Sequence, residues 1–143
     1  MKECNFVGKD VFFNHGIHFN QDEIKFLGES RTGIAHCPTS NMKLSSGIMK
    51  MKEMRKFGVI MGLGVDGSAS NDGSNLLDEM RNCFLLHRLN ESHDAPSGYD
   101  ILKMATRIQF ENSNDIGVFV KLTNSYCLVS NAGCAGLGRT KGR

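Results

Sequence analysis

Between Asp10 and Leu89 one pattern runs three times: an apolar run, a polar or histidine residue at its end, then an amphipathic segment. The first run is Val11-Phe12-Phe13, ending at Asn14-His15-Gly16. The second is Gly33-Ile34-Ala35, ending at His36-Cys37-Pro38. The third and most apolar is Val59-Ile60-Met61-Gly62-Leu63-Gly64-Val65, ending at Asp66-Gly67. Apolar residues without alternation predict strands buried on both faces, as in parallel sheets.

The first helix has the clearest start. Asn20 caps it, Glu23 reaches back to the cap, and Phe19 and Ile24 occupy the two positions of a hydrophobic staple. The segment carries Ile24 and Leu27 inward and is expected to stop near Gly28. A second helix is predicted over residues 48–56, with Ile48, Met51 and Met54 on one side and Gly58 ending it. A third begins near Asn75, with Asp78 completing the cap and Leu76, Met80 and Phe84 as the buried stripe. After the polar stretch 90–98 a short helix is expected over 99–108, then two short strands at 117–122 and 126–129. The glycine-rich, basic end, residues 133–143, reads as frayed. Three successive βα units predict either part of a (β/α)8 barrel or a small doubly wound sheet.

Composition narrows the class without naming a function. The 143 residues are 40% hydrophobic and 22% charged, enough for one ordinary core. A net charge of +2 gives no electrostatic case for nucleic acid or an acidic membrane. No apolar run is long enough for a membrane span, and the start lacks an apolar signal core, so a cytoplasmic location is expected. The five cysteines are odd in number and form no CxxC pair, which favours reduced thiols packed as small hydrophobes. Met42, Met49, Met51, Met54 and Met61 read as gap-fillers in or near the core.

Candidate chemistry gathers where the strands end. His15, His36 and Asp66 each follow an apolar run, about one βα unit apart, so all three are expected to face one site. Asp66 is the sharpest of them. A carboxylate after such a strand is costly to bury unpaired, and either a metal ion or hydrogen bonds from the turn at 67–70 removes that cost. The string Gly62-Leu63-Gly64-Val65-Asp66-Gly67 matches GxGxxG, but polar residues 67–74 separate it from any helix and no acid follows at the required distance. Dinucleotide binding is therefore not expected.

Three strings together carry a resemblance. They are His15-Gly16-Ile17-His18-Phe19, the run from Ala35 through His36-Cys37-Pro38-Thr39-Ser40-Asn41 to Gly47, and Gly62-Leu63-Gly64-Val65-Asp66-Gly67-Ser68-Ala69-Ser70-Asn71. In this order and spacing they resemble the amidohydrolase superfamily, in its aminohydrolase and triazine-hydrolase branch, and most of all its 8-oxoguanine deaminases. The resemblance implies an α/β fold in which this chain supplies strands six to eight of a (β/α)8 metallo-dependent hydrolase barrel over residues 1–110. Residues 111–143 would be a remnant of, or departure from, a small β domain, partly disordered. It implies Zn2+ or Fe2+ in the complete enzyme, with Asp66 a metal ligand that takes a proton from the attacking water. His15 matches the histidine that touches that water and the substrate carbonyl. His36, Ser40 and Asn41 match residues that shape the pocket or order its loop.

The implied reaction is hydrolytic deamination of a purine-type base, 8-oxoguanine or guanine. Triazine dechlorination and adenosine-type deamination are the alternatives within the superfamily. The family's His-x-His pair, third ligand histidine and acid glutamate have no counterparts in this sequence, and three units leave two strand edges uncovered. The 143 residues alone are thus expected to be catalytically incomplete. They would act as a non-catalytic fragment, self-associate, or meet a chain that carries the missing strands.

Overall fold

The computed structural model describes residues 6–106 and 137–139. Strands β1 (Val11–Asn14), β2 (Gly33–His36) and β3 (Ile60–Leu63) form where the three apolar runs stand. Both pairings are parallel, with Phe13 opposite Ile34 and Ile34 opposite Met61. β2 lies between the other two and is buried along its whole length, while β3 is buried only at its carboxyl end. A fourth strand, β4 (Leu137–Arg139), runs antiparallel to β1 and takes its free edge. That corrects two expectations: this part of the tail is ordered against the sheet, and β1 is not left uncovered. The predicted strands at 117–122 and 126–129, and most of the 111–143 segment, lie outside the described residues. Three parallel strands with intervening helices are consistent with an incomplete (β/α)8 barrel.

Helix α1 (Gln21–Ser30) starts as its sequence dictates, with Asn20 and Glu23 exchanging side-chain and backbone hydrogen bonds at 2.8 and 2.9 Å. Phe19 and Ile24 both join the core, as a staple requires. The helix does not stop at Gly28 but runs to Ser30, where Arg31 caps it in left-handed backbone. Gly28 serves packing instead, since a Cβ there would run into the Phe57 carbonyl oxygen.

Helices α2 (Pro38–Lys43) and α3 (Met51–Lys56) are short. Ile48 is 38% exposed and Met49 is buried in its place, because α3 begins only at Met51. Met51 and Met54 are buried as expected, whereas Met42 is exposed. Helix α4 (Leu76–Glu91) is capped by Asn75, which accepts from the Leu77 amide at 3.0 Å; Asp78 contributes no reciprocal bond to that cap. Its fully buried residues are Glu79, Cys83 and His87, one position before the predicted stripe of Met80 and Phe84. Those apolar residues are only partly buried against the core. Helix α5 (Gly98–Thr106) closes the described part, with Ile101, Met104 and Ala105 inward. The core joins α1, α3, α4 and α5 to β2 and β3 through Ile24, Leu27, Met54, Cys83, Ile101, Ile34 and Leu63. Each such Ile, Leu or Met side chain contributes roughly 1.5–3 kcal/mol on burial.

Candidate active site and a buried histidine–cysteine cluster

The carboxyl ends of β1 and β3 carry two side chains on unusual backbone. His15 has φ 66° and Asp66 φ 61°, both in the left-handed region. Such angles are uncommon for residues with a Cβ, and strain of this kind gathers at functional sites. Gly16 follows His15 with φ 65°, and a Cβ there would stand 2.9 Å from Ile34 Cγ2, so only glycine fits this turn.

These two residues meet. His15 Nε2 lies 3.7 Å from Asp66 Oδ2, and both side chains are partly open to solvent. Two neighbours on α2 hold them, in a segment that Pro38 starts at the first helical position. The Ser40 hydroxyl donates to Asp66 Oδ2 at 2.5 Å, joined by the Ser70 hydroxyl at 3.0 Å. Asn41 Oδ1 faces His15 Nδ1 at 2.8 Å. An amide oxygen only accepts, so Nδ1 carries a proton, and Nε2 is left facing Asp66. Partial burial pushes the Asp66 carboxyl up, but the Ser40 hydroxyl, the Gly67 backbone, the Ser70 hydroxyl and nearby His15 outweigh it. The net shift is below the ordinary carboxylate range.

A second layer locks the loops that carry these groups. Asn71 donates to the Val65 carbonyl at 2.7 Å and to Glu79 Oε1, and accepts from the Gly73 and Ser74 amides. Glu79 Oε2 accepts from the Thr39 amide at 3.2 Å. One buried carboxylate thus ties the Asp66 loop to the Ser40 segment. Burial pushes the Glu79 carboxyl up, against the Thr39 and Asn71 bonds that favour its charged form, and Asp66 adds to the rise.

His36 is not joined to the His15–Asp66 pair by any hydrogen bond. Its ring is fully buried against α4, with Nε2 3.0 Å from His87 Nε2, and its Nδ1 has no partner. Burial, then the nearby His87 and His15, lower the His36 pKa to about 3. Cys83 lies one helical turn before His87, and burial pushes its thiol up to about 12, helped by Glu79 and Glu91. One ligand atom from each of His36, Cys83 and His87 lies within 4.8 Å of the others. A His/Cys/His set consistent with Zn2+ or Fe2+ coordination is thus present in the chain.

Of the residues singled out from sequence, His15, Ser40, Asn41 and Asp66 come together and His36 belongs to a separate cluster. Glu79, Asn71, Cys83 and His87 were missed as site residues. A signal existed in Glu79, Cys83, His87 and Glu91, which recur every four residues along one helix. The cleft of about 340 Å3 lined by Gln21, Ile24, Lys50, Lys52, Glu53 and Lys56 contains none of these groups.

Parallel strands with a histidine–carboxylate pair at their carboxyl ends are the arrangement in which α/β enzymes build active sites. Residues 1–108 match the amidohydrolase family, and the chain belongs to that family. It is 48% identical over 107 residues to an 8-oxoguanine deaminase from Pseudomonas aeruginosa, an alignment covering 75% of this chain and 24% of the relative. It is 44% identical over 97 residues to a 5-methylthioadenosine/S-adenosylhomocysteine deaminase from Pelotomaculum thermopropionicum, covering 67% and 22%. Among solved structures, the atrazine chlorohydrolase of Arthrobacter aurescens complexed with zinc superposes with a TM-score of 0.70. The identity is 31%, covering 74% of this chain and 24% of that one. Guanine deaminase of E. coli gives 0.67 at 28% identity, covering 73% and 24%. The chain therefore spans about a quarter of the length of the curated relatives it matches. No helix among the described residues is long and apolar enough to cross a membrane.

Proposed function

We propose that this chain carries the sixth to eighth βα units of an amidohydrolase barrel that deaminates a purine-type base, 8-oxoguanine or guanine. On this reading residues 1–110 belong to the barrel, and residues 111–143 stand where a small β domain begins. The observation that carries the proposal is the facing pair His15 Nε2 and Asp66 Oδ2, 3.7 Å apart and held by Asn41 and Ser40. The choice of a purine base is supported by the 48% identity to an 8-oxoguanine deaminase.

Asp66 fits a divalent cation, since its surroundings favour the charged carboxylate at a rigid strand end. One carboxylate is not a complete site, and the family pattern puts the remaining ligands on strands outside these residues. A cation held with Asp66 supplies the Lewis acidity that makes water nucleophilic at neutral pH. The chain's own residues do the rest. Asp66 Oδ2 accepts the proton that the attacking water loses. That proton then passes to the departing amino group, while the ring nitrogen takes its proton from an acid that the family pattern places outside these residues and that the collapsing hydroxyl restores. His15, facing Asp66, donates a hydrogen bond to the oxygen developing at the ring carbon. Ser40 and Asn41 keep the two atoms in register. The products are ammonia and a ring carbonyl.

The test is a chimera in which residues 11–106 replace the matching segment of the Pseudomonas aeruginosa enzyme. Ammonia release is measured with 8-oxoguanine, guanine, 5-methylthioadenosine and atrazine. The proposal expects turnover of the first two. A folded chimera that turns over only 5-methylthioadenosine or atrazine contradicts the substrate, and one that turns over none contradicts the proposal as a whole.

A further inference from the structure

The cluster between β2 and α4 has a hydrogen-bond count that does not close. Glu91 Oε1 stands 3.2 Å from His87 Nδ1, and a carboxylate only accepts, so that nitrogen holds the proton. His87 Nε2 is then a lone pair. The one group facing it at 3.0 Å is His36 Nε2, which must therefore be the N–H. This leaves His36 Nδ1 a bare acceptor with no partner, fully buried, and Glu91 Oε2 is buried without a partner as well. A buried polar atom left unpaired costs roughly 1–3 kcal/mol. Beside them sits the Cys83 thiol, also at 0% exposure.

We propose that His36 Nε2, His87 Nε2 and Cys83 Sγ bind a zinc ion that clamps β2 to α4, at a structural site separate from the one containing Asp66. Two nitrogens on a tetrahedral zinc stand about 3.3 Å apart, given bonds of 2.0–2.1 Å, and the pair here needs only a small opening from 3.0 Å. Glu91 behind His87 forms the carboxylate–histidine–metal relay that orients ligand imidazoles. The charges also close: a +2 ion meets one thiolate and the Glu91 carboxylate. Binding displaces the thiol proton to solvent, and the His36 ring proton moves from Nε2 to Nδ1. Both imidazoles stay neutral, and the stabilisation comes from the three metal bonds rather than from pairing His36 Nδ1 or Glu91 Oε2. This inference does not depend on the purine-deaminase reading, because it uses none of that site's residues.

The experiment uses the 143-residue chain, stripped with a chelator and titrated with Co2+ as the probe. The proposal expects a thiolate-to-cobalt charge-transfer band in the near ultraviolet, saturating at one ion per chain and bleached by Zn2+. The band should disappear in Cys83→Ser and persist in Asp66→Asn. Glu91→Gln should weaken zinc binding by about 10–100-fold. X-ray absorption of the zinc-loaded wild-type chain, which needs no variant to fold, should show one sulfur and two imidazoles. A folded chain with no charge-transfer band would overturn the proposal. So would a band that survives Cys83→Ser, one lost in Asp66→Asn, or a zinc shell of oxygen and nitrogen alone.

Discussion

Two histidine clusters stand at the ends of neighbouring strands, and they are built on opposite plans. Around His15 and Asp66 the groups are partly open to solvent, the hydroxyls of Ser40 and Ser70 converge on one carboxylate oxygen, and the backbone is left-handed. Around His36, Cys83 and His87 everything is sealed; buried polar atoms without a partner occur in both, Asn41 Nδ2 in the first and His36 Nδ1 and Glu91 Oε2 in the second. The first plan keeps a charged carboxylate ready beside an imidazole nitrogen at an accessible place. The second keeps its groups neutral by burial and suits cohesion better than turnover. Three side chains at successive strand ends therefore do not make one site. Which way each ring turns decides the matter.

The difference yields four expectations, from the largest effect to the smallest. Replacing His87 with Ala leaves His36 without its hydrogen-bond partner and opens a cavity under α4. The loss should be about 3 kcal/mol in chemical denaturation, and a loss below 1 kcal/mol would mean the sealed cluster holds nothing together. Acid should act through His36 in the metal-free chain. Its folded pKa is about 3, far below the unfolded value, so the unfolded chain binds the extra proton between roughly pH 6.5 and 3. Stability is then fully present above pH 6.5 and falls as pH drops through that window, by about 2 kcal/mol at pH 5 from this group alone. Melting curves at pH 7.5 and pH 5 should show the drop, and His36→Asn should flatten it.

Glu79→Gln comes next. Both partners of Glu79 are donors, the Thr39 amide and the Asn71 side-chain NH2, so a glutamine NH2 must face one of them. A loss of about 1.5 kcal/mol is expected, with faster hydrogen exchange at the loop amides of Gly73 and Ser74. Ser40→Ala should be mildest, about 1 kcal/mol. Its sharper signature is on the carboxylate: with one donor gone the Asp66 pKa rises, and the acidic limb of a pH–rate profile moves upward.

How much of this was legible beforehand varies with the physics involved. β1 and β2 and the first helix cap were readable because local rules fix them: unbroken apolar runs make buried strands, and an Asn20–Glu23 pair can satisfy only a helix start. The approach of His15 and Asp66 was readable from their places at strand ends, and Ser40 and Asn41 from the family resemblance as loop-ordering residues, whereas His36, expected at the same site, turns to His87 on α4. The end of α1 was misread because Gly28 is required by a close approach to Phe57, a tertiary fact with no local signature. The buried stripe of α4 was misplaced by one residue for a related reason. Hydrophobicity selected Met80 and Phe84, yet the sheet and α2 receive Glu79, Cys83 and His87, and Glu79 and His87 meet Thr39 and His36, 40 and 51 positions away. Such pairing turns a polar residue into a core residue, and helix periodicity cannot announce it.

The central claim, that the open cluster does the chemistry, is tested most directly by kcat/KM for 8-oxoguanine in the chimera carrying residues 11–106 and in its Asp66→Asn form. The account predicts a loss on the order of 10^3-fold with the melting temperature essentially unchanged, because the amide keeps the shape and gives up the proton acceptor. An Asp66→Asn enzyme within about tenfold of its parent, which is under 1.4 kcal/mol of transition-state stabilisation, would contradict it.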